Sequence, residues 1–159
     1  MEKVLVYADG ACQPNPGVGG LGIVIIYEDG RIEECSQGFY NSTNNRMELL
    51  GVIKALQLLK LKENIKIEVF SDSKYVVDSI NKKWLDRWEK NNWKFKLNGK
   101  KEVKNKDLWK FLFKLKDKHP TTFTWVKGHA ENINNNRCDI LASKAIKSNK
   151  LFEDIGYII

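Results

Sequence analysis

The chain has 159 residues and a net charge of +7, with 42% hydrophobic and 11% aromatic residues. This length suits one globular domain with a real core, so we expect a single domain over residues 1–159. The longest apolar stretch, around Leu21 to Tyr27, is far shorter than the ~20 residues of a membrane span. The N-terminus also lacks a signal-peptide layout. We therefore expect a soluble, cytoplasmic protein. Nothing in the sequence requires an oligomer or an obligate protein partner, so we expect a monomer.

The cysteines argue against two further classes of protein, those stabilised by disulfides and those that bind zinc. Cys12, Cys35 and Cys138 are odd in number and form no CxxC pair, which argues against both a disulfide framework and a zinc site. We interpret each as a small packed side chain in a reducing compartment.

The positive charge is concentrated between Lys82 and Lys118, the basic segment. Thirteen lysines and one arginine there oppose five acids, a net charge of +9, so the rest of the chain carries −2. The segment also holds four of the five tryptophans: Trp84, Trp88, Trp93 and Trp109. A solvated face is the usual explanation of a lysine run, but it leaves the aromatic residues unexplained. We predict contact with nucleic acid or another polyanion.

The first half of the chain predicts three strands, a helix and a fourth strand. "KVLVYAD" is a strand ending at Asp9, and "GLGIVIIYEDGRIEECSQGFY" is two strands joined by a tight turn at Asp29-Gly30. "STNNRMELLGVIKALQLL" has the apolar spacing of a helix, and Glu48 continues its apolar stripe. "IKIEVFSD" is the fourth strand, ending at Asp72.

The second half predicts helices, one strand and a closing helix. "SDSKYVVDSINKKWLDRWEKN" and "VKNKDLWKFLFKLKDK" are helical in pattern, "TTFTWVKGH" is the fifth strand and "RCDILASKAIKSN" the last helix. This order of strands and helices predicts an α/β fold: a five-stranded mixed sheet, three antiparallel strands and then two parallel, flanked by helices.

Four acids are candidate functional residues, although the position of each can also be explained by local structure. Asp9 precedes a glycine as in a turn, and Asp72 begins a helix where aspartate is a favoured N-cap. Asn45-x-x-Glu48 resembles a capping box. Asp139 is explained as complementing the dipole in the first turn of the last helix.

Taken together, the acids predict a metal site. Strand ends and helix starts would bring them to one sheet edge, where ligands bind in open α/β sheets. Four carboxylates in one place repel, and a bound cation removes that cost. Oxygen ligands without a Cys or His cluster indicate Mg²⁺ or Mn²⁺. Two such ions about 4 Å apart suit phosphoryl transfer.

The acids lie in "YADGACQPNPGVGGLG", "STNNRMELLGVIKAL", "FSDSKYVV" and "WVKGHAENINNNRCDILAS". In this order and spacing the chain resembles bacterial ribonuclease H of type 1, from about Lys3 to the tail "EDIGY". The basic segment resembles the basic protrusion of that family. The resemblance implies divalent-metal-dependent, endonucleolytic hydrolysis of the RNA strand of RNA-DNA hybrids, leaving 3′-hydroxyl and 5′-phosphate ends.

The resemblance also implies residue roles. Asp9, Glu48, Asp72 and Asp139 match metal ligands of the family, and His129 matches a catalytic-loop histidine that assists proton transfer or product release. The positions matching substrate contacts fall into two groups. The minor-groove positions are Cys12 (through its backbone), Asn15, Asn44 and Asn45; the pocket for a DNA-strand phosphate comprises Thr43 and Asn105. Trp84 and Trp88 either shape the contact surface or pack the protrusion together, and we favour packing.

Two departures and two alternatives accompany the resemblance. Asn41 replaces an arginine that relatives often carry in the phosphate pocket, and the loop "AENINNN" lacks acids near the last metal ligand. The domain is alternatively a catalytically silent hybrid-binding module or the ribonuclease H domain of a reverse transcriptase. The presence of all four acids favours an enzyme, and the basic protrusion favours a free-standing one.

Overall fold

In a computed structural model that describes residues 1–128 and 131–157, three antiparallel strands come first. They are β1 (Glu2–Gln13), β2 (Gly17–Ile26) and β3 (Ile32–Ser42), with β1 paired to β2 and β2 to β3. The turn predicted at Asp29-Gly30 joins β2 to β3. Gly30 has φ +90°, a conformation that favours glycine.

A helix, a strand and three further helices follow, and then the chain returns to the sheet. These elements are α1 (Asn44–Leu59), β4 (Ile65–Ser71), α2 (Lys74–Asn81), α3 (Trp84–Lys90), α4 (Lys106–Leu115), β5 (Thr121–Trp125), α5 (Ile133–Ile146) and β6 (Leu151–Phe152). The strand order is β5-β4-β1-β2-β3-β6, and the β4–β1 and β5–β4 pairs are parallel. The predicted α/β fold with a mixed sheet is confirmed.

The sheet has six strands and not the predicted five. The additional strand, β6, pairs with β3 through two residues, Leu151 and Phe152. Two residues are too few to produce the alternating pattern by which a strand is recognised in a sequence. The five predicted strands form the core of the sheet.

Asp9 lies inside a strand and not at its end, so this prediction was wrong. The parallel β1–β4 pairing stops at Tyr7 and Phe70, whereas β1 continues to Gln13 against β2, with Asp9 opposite Gly22. The residues after Asp9 carry no apolar alternation, and antiparallel pairing with β2 keeps them extended. The turn explanation of Asp9 is therefore also wrong. Asp9 stands where β4 leaves the sheet and an edge opens beside β1.

Two glycines allow helices to cross the sheet directly beside Asp9. A side chain at Gly10 would overlap the backbone of Glu48 in α1. A side chain at Gly22 would overlap the carbonyl oxygen of Cys138 in α5. Close backbone approach is what glycine permits, and it brings the start of α1 and the middle of α5 to the same strand position.

The basic segment packs on the main hydrophobic core. Buried side chains of α3, α4 and the connection between them belong to the same cluster as Val6 of β1 and Val69 of β4. They are Leu85, Val103, Leu108, Trp109 and Leu112. The lysines therefore project from a segment whose other side chains pack in the main hydrophobic core. No helix formed by the described residues is long and apolar enough to cross a bilayer.

Candidate active site

Three of the four predicted acids meet at the edge beside β1. Asp9 comes from the strand, Glu48 from the second turn of α1, and Asp72 from the residue after β4. One carboxylate oxygen from each lies within 4.8 Å of the others. Residues 9, 48 and 72 are far apart in the sequence, so the parallel β1–β4 pairing and the crossing at Gly10 assemble this acid cluster.

The capping explanations of Glu48 and Asp72 are wrong. Helix α1 is capped by Thr43, whose hydroxyl accepts from the Arg46 N–H at 3.2 Å, so Asn45 lies inside the helix. Helix α2 is capped by Ser73, which accepts from the Val76 N–H at 3.3 Å. Neither carboxylate is needed to satisfy a helix start, and both are directed into the acid cluster.

Asp139 lies beside the cluster. Helix α5 begins at Ile133 after an Asn132 cap, so Asp139 is beyond the first turn and its dipole explanation is wrong. Its carboxylate is not part of the group within 4.8 Å. Its negative charge nevertheless helps to raise the pKa of Asp9, as expected from the contact between Cys138 and Gly22, the strand partner of Asp9.

The acid cluster is electrostatically unfavourable without a cation. Burial, followed by the charge of Asp72, raises the pKa of Asp9 from 3.8 to about 7. Burial and the charges of Asp9 and Asp72 raise the pKa of Glu48 well above its usual value. One Glu48 oxygen, Oε2, is buried and has no hydrogen-bond partner among the described residues. Oxygen donors, mutual repulsion and an unpartnered buried oxygen all fit a hard divalent cation.

Two residues that the sequence analysis did not single out lie against Asp72. The indole Nε1 of Trp125, at the end of β5, donates to the Asp72 carbonyl oxygen at 3.0 Å. Gly128 lies so close that a Cβ there would be 2.7 Å from Asp72 Oδ2. The available signal was that Trp125 ends the strand that pairs with β4 and that Gly128 follows it. His129, which was predicted to act in this loop, lies outside the described residues.

The predicted minor-groove residues lie where the β1–β2 connection meets α1. The side-chain oxygen of Asn15 accepts from the backbone N–H of Asn44 at 3.1 Å, and both residues are exposed, as is Asn45. Cys12 is buried, and its thiol donates to the carbonyl oxygen of Ser42 at 3.3 Å. The asparagines therefore form one exposed polar surface.

Thr43 and Asn105 are connected through Arg46, which the sequence analysis did not single out. The Arg46 backbone N–H donates to Thr43, and its Nη1 donates to Asn105 Oδ1 at 3.3 Å. The guanidinium is buried and also binds Asp107 and Asp154 with distances of 2.7 to 3.0 Å. The sequence feature that could have identified Arg46 is the presence of an arginine within the apolar pattern of α1.

The packing interpretation of Trp88 is supported by its contacts. Its ring lies edge-on to the buried Trp109 with centroids 5.3 Å apart, and to Phe95 at 6.2 Å. Trp84 is half-buried, with the Lys82 ammonium 5.6 Å from its ring centroid.

Solved structures identify the class of fold. LC9-RNase H1, a type 1 RNase H with the type 2 active-site motif, is 29% identical with a TM-score of 0.80, over 92% of this chain and 73% of that one. LC11-RNase H1 in complex with an RNA/DNA hybrid has a TM-score of 0.69 over 91% of this chain and 96% of that one. At 24% identity, that second likeness concerns the fold alone. The chain has the fold of ribonuclease H structures.

Sequence comparisons place the chain within a family. The profile of the RNase H family matches residues 1–147. Ribonuclease HI of Synechocystis sp. is 47% identical over 156 residues, which is 98% of this chain and 95% of that protein. Ribonuclease H of Clostridium botulinum is 49% identical over 149 residues, 92% of this chain and 97% of that protein. The chain belongs to the ribonuclease H family of enzymes.

Proposed function

We propose that this enzyme hydrolyses the RNA strand of RNA-DNA hybrids endonucleolytically, using two Mg²⁺ or Mn²⁺ ions and leaving 3′-hydroxyl and 5′-phosphate ends. The observation that carries the proposal is the convergence of Asp9, Glu48 and Asp72 around a buried, unpartnered oxygen of Glu48. Membership of the ribonuclease H family supports the choice of substrate. We also propose that the chain acts as a cytoplasmic monomer, as one domain that includes a basic protrusion and its following helix over residues 82–118.

The acids would hold the ions. Among them, Asp9 and Glu48 are the two whose pKa values are raised by burial and by neighbouring negative charge. When bound, divalent ions supply Lewis acidity at the attacking water and at the departing 3′-oxygen. Asp72 is held from its backbone side by Trp125, and Asp139 adds a fourth carboxylate beside Asp9. His129 moves protons or assists product release, since an imidazole titrates near neutral pH.

The surface beside the acid cluster would distinguish the two strands. Exposed asparagine side chains offer both donors and acceptors, and a 2′-hydroxyl is both donor and acceptor. Asn15, Asn44 and Asn45 would check the minor groove for ribose, with the backbone of Cys12 beside them. Thr43 and Asn105 would hold a phosphate of the DNA strand.

Cleavage of end-labelled substrates tests the proposed function. An RNA-DNA hybrid, double-stranded RNA, double-stranded DNA and both single strands are incubated with Mg²⁺, with Mn²⁺ and with chelator. We expect cleavage of the RNA strand of the hybrid only, dependent on metal, with 3′-hydroxyl and 5′-phosphate ends. Cleavage in chelator, or equally fast cleavage of double-stranded RNA, would contradict the mechanism. Hybrid binding without any cleavage would identify a silent binding module.

Neutralising exposed lysines of the basic segment is expected to weaken hybrid binding and to reduce its salt dependence. Lys96, Lys100 and Lys104 are exposed, and no acid in residues 1–128 or 131–157 forms an ion pair with them. If each releases about one counterion from the duplex, replacement of all three by glutamine lowers the slope of log K against log salt by about 2 to 3. Cleavage at saturating substrate should be nearly unchanged.

A triple variant of equal charge loss provides the control. Lys60, Lys66 and Lys150 are also exposed but lie outside the basic segment, and their replacement by glutamine should leave the salt slope nearly at the parental value. If both triple variants change the slope equally, net charge and not the basic segment determines binding.

A further inference from the structure

Asp72 lies in the short link between β4 and α2, outside both elements. Strand β4 ends one residue before it and α2 begins two residues after it, with Ser73 as the N-cap. The other two clustered acids differ in this respect, since Asp9 lies within a strand and Glu48 within a helix. Regular backbone hydrogen bonds therefore set the directions of Asp9 and Glu48, whereas the direction of the Asp72 carboxylate depends on contacts made to the link.

The residues on either side of Asp72 are fixed by hydrogen bonds. The Ser71 carbonyl oxygen accepts from the Val126 N–H at 2.9 Å, which extends the pairing of β4 with β5. The Ser73 N–H donates to the Ser71 side-chain oxygen at 3.1 Å, and the Ser73 hydroxyl oxygen accepts from the Val76 N–H at 3.3 Å. Between these two fixed residues, the orientation of the 72–73 peptide is given by the direction of the Asp72 carbonyl.

The indole of Trp125 is bonded to that carbonyl. Trp125 is the last residue of β5 and lies opposite Ser71 in the parallel register of β4 and β5. Its Nε1–H donates to the Asp72 carbonyl oxygen at 3.0 Å. An indole has one donor and no acceptor, so this hydrogen bond has only one possible direction. The carboxylate of the same residue has an oxygen within 4.8 Å of one from Asp9 and one from Glu48.

Burial alone does not explain a tryptophan at position 125. The residue is 41% exposed, so much of its apolar surface remains in contact with water. The ammonium of Lys74, the first residue of α2, lies over the ring at 4.7 Å from its centroid. Such a contact at an exposed site contributes about 0.5–1 kcal/mol and restrains the ring. The indole therefore connects the end of β5, the start of α2 and the link that carries Asp72.

We infer that Trp125 is a positioning residue for metal binding: its indole N–H orients Asp72 so that the carboxylate serves as a ligand of the divalent ion. The same segment also approaches the carboxylate itself, since a Cβ at Gly128 would lie 2.7 Å from Asp72 Oδ2. Removing a group that orients a metal ligand typically costs about 10- to 100-fold in metal affinity or activity. This inference rests on the proposed function, because it assigns a role towards the proposed divalent ion.

Metal binding in the absence of substrate tests this role. Trp125→Phe keeps an aromatic ring and removes the N–H. Mn²⁺ is titrated into the parent and the variant, and free Mn²⁺ is measured by electron paramagnetic resonance. We expect the dissociation constant to rise about tenfold in the variant. The matched control is Trp93→Phe, the same change at a half-buried tryptophan that packs edge-on against Phe113, and it should bind Mn²⁺ as the parent does.

A second variant removes only the hydrogen bond and tests the inference even if Trp125→Phe does not fold. Site-specific incorporation of 3-benzothienylalanine at position 125 replaces the indole N–H by sulfur and keeps the size and shape of the ring. It should also weaken Mn²⁺ binding about tenfold. A parental dissociation constant in this variant would refute the role of the N–H, whatever the phenylalanine variant does.

Hybrid cleavage separates positioning from a general effect on the fold. In Trp125→Phe the Mg²⁺ concentration for half-maximal cleavage should rise about tenfold, whereas KM for the hybrid at saturating Mg²⁺ should stay within about twofold of the parent. Loss of activity with an unchanged Mg²⁺ dependence would mean that Trp125 acts only through stability. If the parent binds Mn²⁺ but cleaves no hybrid, the proposed function fails, and the Mn²⁺ titrations still decide the role of Trp125. If the parent cleaves hybrids and both variants bind Mn²⁺ as it does, only the assignment of Trp125 fails.

Discussion

Asp9→Asn is expected to reduce hybrid cleavage ~1000-fold or more and to leave the fold intact. One carboxylate oxygen of Asp9 lies within 4.8 Å of a carboxylate oxygen of both Glu48 and Asp72. Loss of its charge removes a metal ligand, and metal-based stabilisation of the transition state amounts to several kcal/mol. Single-turnover cleavage of a labelled hybrid with Mg²⁺ measures the effect. Glu63→Gln, the same kind of change at an exposed acid, should cleave at the parental rate.

The same substitution is expected to stabilise the metal-free protein at alkaline pH. The pKa of Asp9 is raised by burial and neighbouring charge from 3.8 to about 7. A raised pKa means that the folded state holds its proton more tightly than the unfolded state. The resulting contribution to stability is complete below about pH 4 and is lost as the pH rises through about 7.

Melting in chelator at a series of pH values measures this effect. The parent should lose stability between pH 4 and pH 8, whereas Asp9→Asn should vary less and be more stable at pH 8 by about 1–3 kcal/mol. Added divalent ion should stabilise the parent and have much less effect on the variant. If metal-free Asp9→Asn melts well below the parent at pH 8, Asp9 has a structural role that its position in the cluster does not explain.

Arg46→Met is expected to destabilise the protein by about 3–5 kcal/mol. Arg46 is 1% exposed and binds Asp154, which is 6% exposed, through both of its carboxylate oxygens. These ion pairs raise the pKa of Arg46 above its ordinary value despite burial of the charge. Methionine fills much of the volume but leaves Asp154 as an unpaired buried charge, to which the Ser42 hydroxyl still donates at 2.7 Å.

Urea denaturation at neutral pH measures the loss. The double variant Arg46→Met, Asp154→Leu removes the unpaired charge and should recover part of the stability, since replacing a buried pair costs less than breaking it. A loss below about 1 kcal/mol in the single variant would mean that water reaches Asp154 and that the network contributes little.

Local patterns in the sequence predicted most of the fold. The Asp29-Gly30 turn, the alternation of β4 and the spacing of Val52, Leu56 and Leu59 depend on residues close together in the chain. Burial of one face imposes a period of 2 on strands and 3.6 on helices, so such elements are recognisable without their partners. The four acids were chosen by residue type and spacing and by the family resemblance.

Tertiary structure alone decided how these residues are used. The sequence could not show that β1 continues past Asp9, because its extension depends on pairing with β2. Nor could it choose between a cap and a ligand for Glu48, because that depends on Thr43 capping α1 and on Gly10 letting the helix approach. The Arg46 network joins residues about 60 and 108 positions away. Contacts over such separations leave no local period in a sequence, since only the folded chain brings their partners together.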